Sequence, residues 1–314
     1  MIKKQLSDSN VKTIKQQTAL NCLIPLLVIL ALVAAGTGLF WQDGSPSFTF
    51  TTLHGQTVEM FGNGLYKNDT LFTGAAFRGT DVVTLFVALP LLIFSFWLYR
   101  RGSLRGGFLL TAMVSYFLYN AAHMAFAAVY NNLFLVYIAY FSVSFFAFIL
   151  AFSAVNLEAL PGKAMAGRGT AVFLFISGLA PLFLWGSDLV TALLQNQAPP
   201  LLGSYTTMFT HAVDIGIIVP VVYLAGIWLL RQRPLGYLLS FIMLSLLALI
   251  GLVVVAQTIV QIQVGITFPT GVLIGMIGSW IVLGLIALWL AVTILRHISP
   301  TAPEPATAVR PAHV

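Results

Sequence analysis

Two short motifs place ionisable side chains beside long apolar stretches: Arg78-x-x-Asp81 and His211-x-x-Asp214. Each opens an apolar run that contains a proline and ends at an arginine cluster. Charged groups at the edge of a bilayer are costly and usually mark a pathway, a site or a structural pair. The repetition predicts a duplicated membrane unit with a polar site on one side.

A second polar group follows the first motif. Tyr116, Tyr119, Asn120 and His123 are spaced i, i+3, i+4 and i+7, which places them on one face of a helix. Lipid does not favour such a face, so we expect it to point into a helix bundle.

The second motif has a similar companion. His123 lies 42 residues after Asp81, and Gln257 lies 43 residues after Asp214. If the two halves superpose, His123 and Gln257 occupy equivalent depths. We therefore predict a shared ligand-binding site. Its members are Arg78, Asp81, Asn120, His123, His211, Asp214 and Gln257, with Asp188 as a possible addition.

Each member also has a purely structural interpretation. Asp is favourable in the first turn of a helix, so both motifs are consistent with helix caps or local ion pairs. Asn, Tyr and His also join helices by hydrogen bonds within membranes. Only convergence of these side chains in one cavity favours a site over caps and contacts.

Three function classes remain open. The first is binding or transport of a small molecule or ion through an outward-facing polar cavity. The second is a metal-dependent hydrolase acting on lipid, with His123, His211 and Asp214 as candidate metal ligands, because imidazole and carboxylate suit zinc. The third is a sensor or assembly subunit, for which Gly271-x-x-x-Gly275 offers a close helix contact.

Enzyme signatures are missing from the sequence. It contains no HExxH, no G-x-S-x-G, no Walker A motif and no dinucleotide-binding glycine motif. The single cysteine, Cys22, excludes cysteine-rich metal centres by count. We therefore assign no catalytic residue and no cofactor, and an enzyme is the less favoured class.

Composition indicates an all-α membrane protein. The chain is 59% hydrophobic and 8% charged, whereas soluble domains carry about 25% charged residues. A membrane helix needs about 20 apolar residues. Eight runs meet that length: Leu20–Trp41, Val82–Tyr99, Gly107–Val129, Leu133–Val155, Thr170–Leu189, Thr210–Leu230, Leu235–Ile259 and Gly271–Leu295.

These runs predict a polytopic bundle, with helices one to four and five to eight as parallel repeats. A segment 1–19 precedes the transmembrane domain 20–298, and a disordered tail 299–314 follows it. Within the loop 42–80 we expect a β-hairpin from Ser47–Thr52 and Thr57–Phe61, capping the outer mouth. Leu65–Phe77 is expected to form a short helix lying on the membrane.

Basic residues predict the orientation. With the N-terminus inside, thirteen Lys and Arg residues fall on the inner side and only Lys67 and Arg78 on the outer side. Both termini are then cytoplasmic, in a bacterial inner membrane. The pI of about 9.6 follows from loops beside anionic lipid, so the partner is the bilayer and no nucleic-acid partner is predicted.

A set of spaced residues runs through most of residues 50–260. Its members are Gly62-x-Gly64-Leu65-Tyr66-x-x-Asp69, Arg78-Gly79-x-Asp81, Tyr119, Tyr130-Asn131-x-Leu133-Phe134-Leu135-x-Tyr137 and Asp214-x-Gly216-x-x-x-Pro220. This pattern resembles a family of uncharacterised bacterial multi-pass membrane proteins, and the resemblance implies membrane location without an assigned activity.

Overall fold

The computed structural model describes residues 14–15, 17–160 and 167–298. The predicted disordered tail and most of the segment 1–19 lie outside these ranges. Within them the chain forms eight long helices and one two-stranded sheet, which confirms the all-α polytopic bundle. The helices are α1 (Leu20–Phe40), α2 (Leu71–Arg100), α3 (Leu104–Phe126), α4 (Phe134–Ala154), α5 (Arg168–Leu194), α6 (Phe209–Leu230), α7 (Pro234–Gln263) and α8 (Thr270–His297).

Seven of these helices are long and apolar enough to cross a membrane. The exception is α3, which has 23 residues but carries polar groups such as Asn120. Neighbouring helices bury α3 over most of its length. Its side chains therefore contact protein rather than lipid, and they can be more polar than those of the other helices. By contrast, α8 exposes large apolar side chains including Leu285 and Trp289, as a lipid-facing helix does.

The chain crosses the bundle back and forth between two ends. At one end, here called the hairpin end, Asp69 accepts hydrogen bonds from Val129 and Tyr205 and so gathers three connecting segments. At the other, the arginine end, the Nε of Arg105 donates to the carbonyl of Ile298 at 2.7 Å.

The centre of the bundle is α7, which packs against α2, α3, α6 and α8. Close approach depends on glycine: a Cβ on Gly79 of α2 would overlap the backbone of Gln257, and Gly251 of α7 faces Gly284 of α8. Gly271 and Gly275 have nothing within 4 Å of a built Cβ. The close contact on α8 within the chain is therefore at Gly284, away from the predicted Gly-x-x-x-Gly motif.

The loop at the hairpin end agrees only in part with the prediction. The hairpin is present as β1 (Phe48–Thr51) paired antiparallel with β2 (Thr57–Met60). Its turn contains Gly55 at φ +76°. The predicted surface helix Leu65–Phe77 is wrong. A 3-10 turn covers Gly64–Tyr66, and α2 then starts at Leu71 with the Thr70 hydroxyl accepting from the Thr73 N–H.

The α2–α3 and α6–α7 pairs are built alike at an offset of 130 residues. Gly102 and Gln232 both have positive φ, at 74° and 52°. A Cβ on Gly106 would overlap the backbone at Leu98 and Tyr99, and one on Gly236 would overlap it at Trp228 and Leu229. The predicted repeat requires the α2–α3 turn and the α6–α7 turn to have matching backbone conformation and packing, and these two turns do match.

The halves differ in how their outer helices pack. In the first half α1 packs against α4. No comparable packing joins α5 to α8 in the described part of the chain. The second half is therefore the more open one.

Candidate functional site

Both α2 and α6 contain one wide turn at the same place. A π segment covers Thr84–Ala88 in α2 and Asp214–Ile218 in α6, closed by an N–H bond from Leu89 to the Thr84 carbonyl and its equivalent in α6. Proline is the second residue of the segment that follows in each case. Proline has no N–H to donate, and π turns are frequent at functional sites.

This geometry corrects the predicted register. Because Pro90 and Pro220 are equivalent, Thr84 corresponds to Asp214 and Asp81 corresponds to His211. The predicted pairing of Asp81 with Asp214 is shifted by three residues. The two carboxylates therefore lie almost one helical turn apart in their respective halves.

In the first half, Asp81 lies in a closed polar cluster. The Tyr66 hydroxyl donates to Asp81 Oδ2 at 2.8 Å and also lies 3.8 Å from the Met124 sulfur. Asp81 is 3% exposed and Tyr66 is 1% exposed. Gly38 of α1 packs so closely that a Cβ would overlap both polar oxygens. Burial, followed by the charge of Asp81, raises the pKa of Tyr66 well above its usual value.

The same cluster continues along α3. The hydroxyls of Thr84 and Tyr116 are 3.0 Å apart, and the Asn120 amide donates to Thr84 at 3.3 Å and to Tyr140 at 3.4 Å. These side chains satisfy one another in the interior, which is how buried polar groups are normally found.

Arg78 faces away from Asp81. Its Nη2 donates to the Leu39 carbonyl at 3.1 Å, and its guanidinium carbon lies 5.9 Å from the centre of the Phe61 ring. The described residues contain no Arg78–Asp81 ion pair within 4.0 Å. Since both lie beyond the first turn of α2, the alternative of a first-turn pair or cap does not apply.

Polar side chains from both halves border a cavity of about 300 Å³. Residues of α2, α3, α5, α6, α7 and α8 line it, together with the connection between α5 and α6. No residue of the β-hairpin is among the lining residues, so the hairpin does not cap this mouth as predicted. Leu201, Tyr205 and Thr207 of the α5–α6 connection lie there instead.

Asp214 is the carboxylate of this cavity. Tyr119 Oη donates to Asp214 Oδ1 at 3.0 Å, and Trp185 Nε1 donates to Asp214 Oδ2 at 2.9 Å. Both carboxylate oxygens are thus held by neutral donors from α3 and α5. The side chain keeps a fixed direction towards the cavity.

His123 is anchored one turn further along α3. Its Nδ1 lies 2.9 Å from the Tyr119 carbonyl and its Nε2 lies 3.1 Å from the Thr210 hydroxyl. Its ring packs on Tyr119, with centroids 4.3 Å apart, and meets Phe209 edge-on at 5.0 Å. Both ring nitrogens therefore have protein partners.

His211 is the least satisfied polar side chain of the cavity. Its Nε2 lies 3.5 Å from Asp188 Oδ2, yet neither atom has a hydrogen bond of acceptable geometry among the described residues. His211 is 5% exposed, and its ring packs on Trp185 with centroids 4.3 Å apart. The contact is therefore an electrostatic one, without the alignment of a hydrogen bond.

Gln257 completes a pair of matching contacts across the halves. Its Nε2 donates to the Thr80 hydroxyl at 2.9 Å, while His123 contacts the Thr210 hydroxyl at 3.1 Å. Thr80 and Thr210 are 130 residues apart and so are equivalent. Each side chain thus reaches the opposite half, His123 to α6 and Gln257 to α2. In this register, however, His123 corresponds to Val253 and Gln257 to Ala127, so the predicted equivalence of His123 and Gln257 is shifted by about one helical turn.

Asp69 lies beside the mouth and was not among the predicted site residues. Its Oδ1 accepts from the Val129 N–H at 3.0 Å and from the Tyr205 hydroxyl at 2.9 Å. Asp69 is 1% exposed. Burial raises the pKa of this carboxyl to about 7, against the opposing effect of its two donors.

The structure thus brings five of the seven predicted residues to one cavity and separates two. Asn120, His123, His211, Asp214 and Gln257 line the cavity, whereas Asp81 and Arg78 do not.

The sequence missed three partners: Trp185, Tyr205 and Thr210. Trp185 stands three residues before Asp188, on the same helical face, and this spacing was the available signal. Tyr205 and Thr210 carried none.

The three candidate metal ligands do not form a metal site. No group of three or more His, Cys, Asp or Glu side chains suited to a metal ion occurs in the described residues. The ring nitrogens of His123 and the carboxylate oxygens of Asp214 are also already hydrogen-bonded to protein groups. The side chains present therefore do not fit a bound metal.

Comparison with known proteins found no match: no protein-family model, no curated protein and no solved structure resembles the chain significantly.

Proposed function

We propose that this multi-pass membrane protein binds a small molecule in the cavity, which the ligand enters from the hairpin end, as the first step of recognition or passage. The observation that carries this function is the convergence of Asn120, His123, His211, Asp214 and Gln257 on a single cavity of about 300 Å³. Binding pockets for small molecules span about 300–1,000 Å³ and combine apolar walls with a few placed polar groups.

The closed side of the cavity supports a one-sided binding state. Towards the arginine end, Phe108 of α3 and Phe241 of α7 meet edge-on with centroids 5.6 Å apart, and both are buried. Passage would require α3 and α7 to separate there. The π segments and prolines of α2 and α6 are places where helices bend, next to the cavity.

Charge distribution supports placing the hairpin end outside the cell membrane. Lys67 and Arg78 are the basic residues near the hairpin end, while the arginine end carries many. The described basic residues there include Arg100, Arg101, Arg105, Arg231, Arg233 and Arg296. Positively charged loops face the cytoplasm, so we propose a bacterial inner membrane with a cavity open to the extracytoplasmic side.

Access to the cavity can be tested with one introduced cysteine. Cys22 is exposed and is first replaced in Cys22→Ser. In that background Thr258→Cys places a thiol on the cavity wall. A membrane-impermeant methanethiosulfonate reagent added to intact cells is expected to label it. Leu53→Cys, at the fully exposed hairpin tip, reports which side the reagent reaches.

A filling substitution serves as the decisive control. Val254→Trp on the cavity wall should block labelling of Thr258→Cys at least tenfold. Leu252→Trp, on the exposed face of the same helix, should leave the rate unchanged. Labelling of Leu53→Cys without labelling of Thr258→Cys would reject an outward-open cavity, and labelling of neither would reject the orientation.

A further inference from the structure

We infer that the ligand of this cavity is a small organic cation, held between the Asp214 carboxylate and the surrounding aromatic rings. This inference rests on the proposed function and names its ligand class. It follows from the charge of the cavity wall, the rings that form it and its size.

The wall carries a carboxylate group without a Lys or Arg partner among the described lining residues. Asp214 is the one carboxylate among the described lining residues, and those residues include no Lys and no Arg. Its hydrogen-bonding partners, Tyr119 and Trp185, are neutral donors. Neutral donors satisfy the hydrogen-bonding capacity of the Asp214 oxygens but do not neutralise the charge of the ionised carboxylate. A buried charge is costly unless it is paired. A bound cation would supply the missing pair.

A second carboxylate, that of Asp188, lies beside the cavity-lining residue His211. Asp188 lies next to His211, with 3.5 Å between Oδ2 and Nε2, and no described basic residue other than this imidazole approaches it within 4.0 Å. His211 is buried and lines the cavity with its Nε2 lacking a hydrogen bond. Asp188 is not itself a lining residue, but it contacts the lining residue His211, so both carboxylates favour positive over negative ligands.

Aromatic rings cover much of the remaining wall. Trp185, Tyr119, Phe209 and Trp280 all line the cavity. The faces of such rings attract ammonium groups, and aromatic cages recognise quaternary ammonium ligands in this way. An inorganic cation would instead need several free oxygen ligands, and both carboxylate oxygens of Asp214 already accept hydrogen bonds from Tyr119 and Trp185.

The size of the cavity limits the ligand. About 300 Å³ lies at the lower end of the range for small-molecule sites. A compact quaternary or protonated amine fits, whereas a lipid with two acyl chains does not.

Choline and its neutral isostere 3,3-dimethylbutan-1-ol provide a direct test. They share one shape and differ in the charged nitrogen. With the full chain in lipid nanodiscs, binding would be measured by the quenching of tryptophan fluorescence and by calorimetry. Choline should bind at least tenfold more tightly than the alcohol. Asp214→Asn keeps the shape and one acceptor oxygen, removes the charge and turns its NH2 group towards either the Tyr119 or the Trp185 donor. It should reduce that preference to less than threefold.

Matched variants separate charge from folding. Glu59→Gln removes an exposed carboxylate of the hairpin and should leave choline binding unchanged. Equal binding of both probes, no binding of choline, or an unchanged preference in Asp214→Asn would each overturn the cationic ligand. If Thr258→Cys is still labelled from outside in that case, the open cavity stands and only the ligand class is wrong.

Discussion

Helices α2 and α6 have the same backbone geometry, a π segment followed by a proline, but their polar side chains have opposite surroundings. In α2 the side chain at the start of the π segment is Thr84, which is buried among Tyr116 and Asn120. In α6 the equivalent residue is Asp214, which faces a cavity. The α2 residues Asp81 and Thr84 are therefore shut off from the cavity, whereas their α6 equivalents His211 and Asp214 line it.

The difference arises from what packs against each helix. Beside α2, Gly38 of α1 allows Tyr66 to reach Asp81 and close the space. Beside α6, α5 contributes the large ring of Trp185, which holds Asp214 from the side. A site therefore forms where packing is incomplete, since the helical geometry is common to α2 and α6.

Asp69 joins the two regions, and its pH dependence should give the largest effect. The pKa of this carboxyl is about 7 in the folded protein against an ordinary value of 3.8. A raised pKa favours the folded state fully below about pH 4, and that contribution is lost as the pH rises through 7. Three pKa units correspond to an upper bound of about 4 kcal/mol. We expect a higher melting temperature at pH 5.5 than at pH 8.5.

Asp69→Asn isolates this carboxyl from the other titrating groups. The amide Oδ1 can still accept from Val129 and Tyr205, but it carries no charge. The variant should melt above the wild type at pH 8.5 and show a flatter pH profile. Identical profiles for wild type and Asp69→Asn would show that this carboxyl is already ionised without cost.

The closed cluster should break at Gly38. In Gly38→Ala the new Cβ would overlap the oxygens of Asp81 and Tyr66, and overpacking of this kind costs about 3 kcal/mol. Gly36→Ala is the matched control, because nothing lies within 4 Å of a Cβ there. Thermal unfolding should show a large loss for Gly38→Ala and little change for Gly36→Ala. Comparable stabilities would mean that the first half has room like the second.

The sequence predicted the helices well because lipid imposes a simple rule on length and apolarity. It failed at Leu65–Phe77, where helix formation continues into the membrane from Leu71. Residues such as Thr73 and Arg78 hid that continuity, since hydropathy treats them as loop. In the structure Arg78 instead donates to the Leu39 carbonyl at the end of α1.

The site was only half predictable for a different reason. Spacing along one helix correctly grouped Asn120 with His123, because i, i+3 and i+4 positions share a face. Spacing between helices did not separate Asp81 from Asp214. That distinction depends on the three-residue shift of register and on Gly38, and both are consequences of packing between distant segments.

The smallest expected effect tests whether the two halves are also energetically equivalent. Thr80→Val removes the acceptor of Gln257, and Thr210→Val removes the partner of His123. A buried hydrogen bond contributes about 1 kcal/mol. Thr80 is 8% exposed and Thr210 is half-buried, so Thr80→Val should lower the melting temperature more. Both contacts border the cavity, but Thr210 is the more accessible threonine, so water can more readily replace the hydrogen bond that His123 loses.

A rescue variant decides whether the hydrogen bond itself is responsible. Replacing both partners by apolar groups of similar shape is close to neutral, so Thr80→Val combined with Gln257→Leu should recover most of the loss. The combination Thr210→Val with His123→Leu should recover less, because His123 also packs on Tyr119 and Phe209. If the two pairs show equal losses of melting temperature and equal recovery, the Thr210–His123 contact is as strong as the Thr80–Gln257 contact, and the two halves are energetically equivalent at these positions.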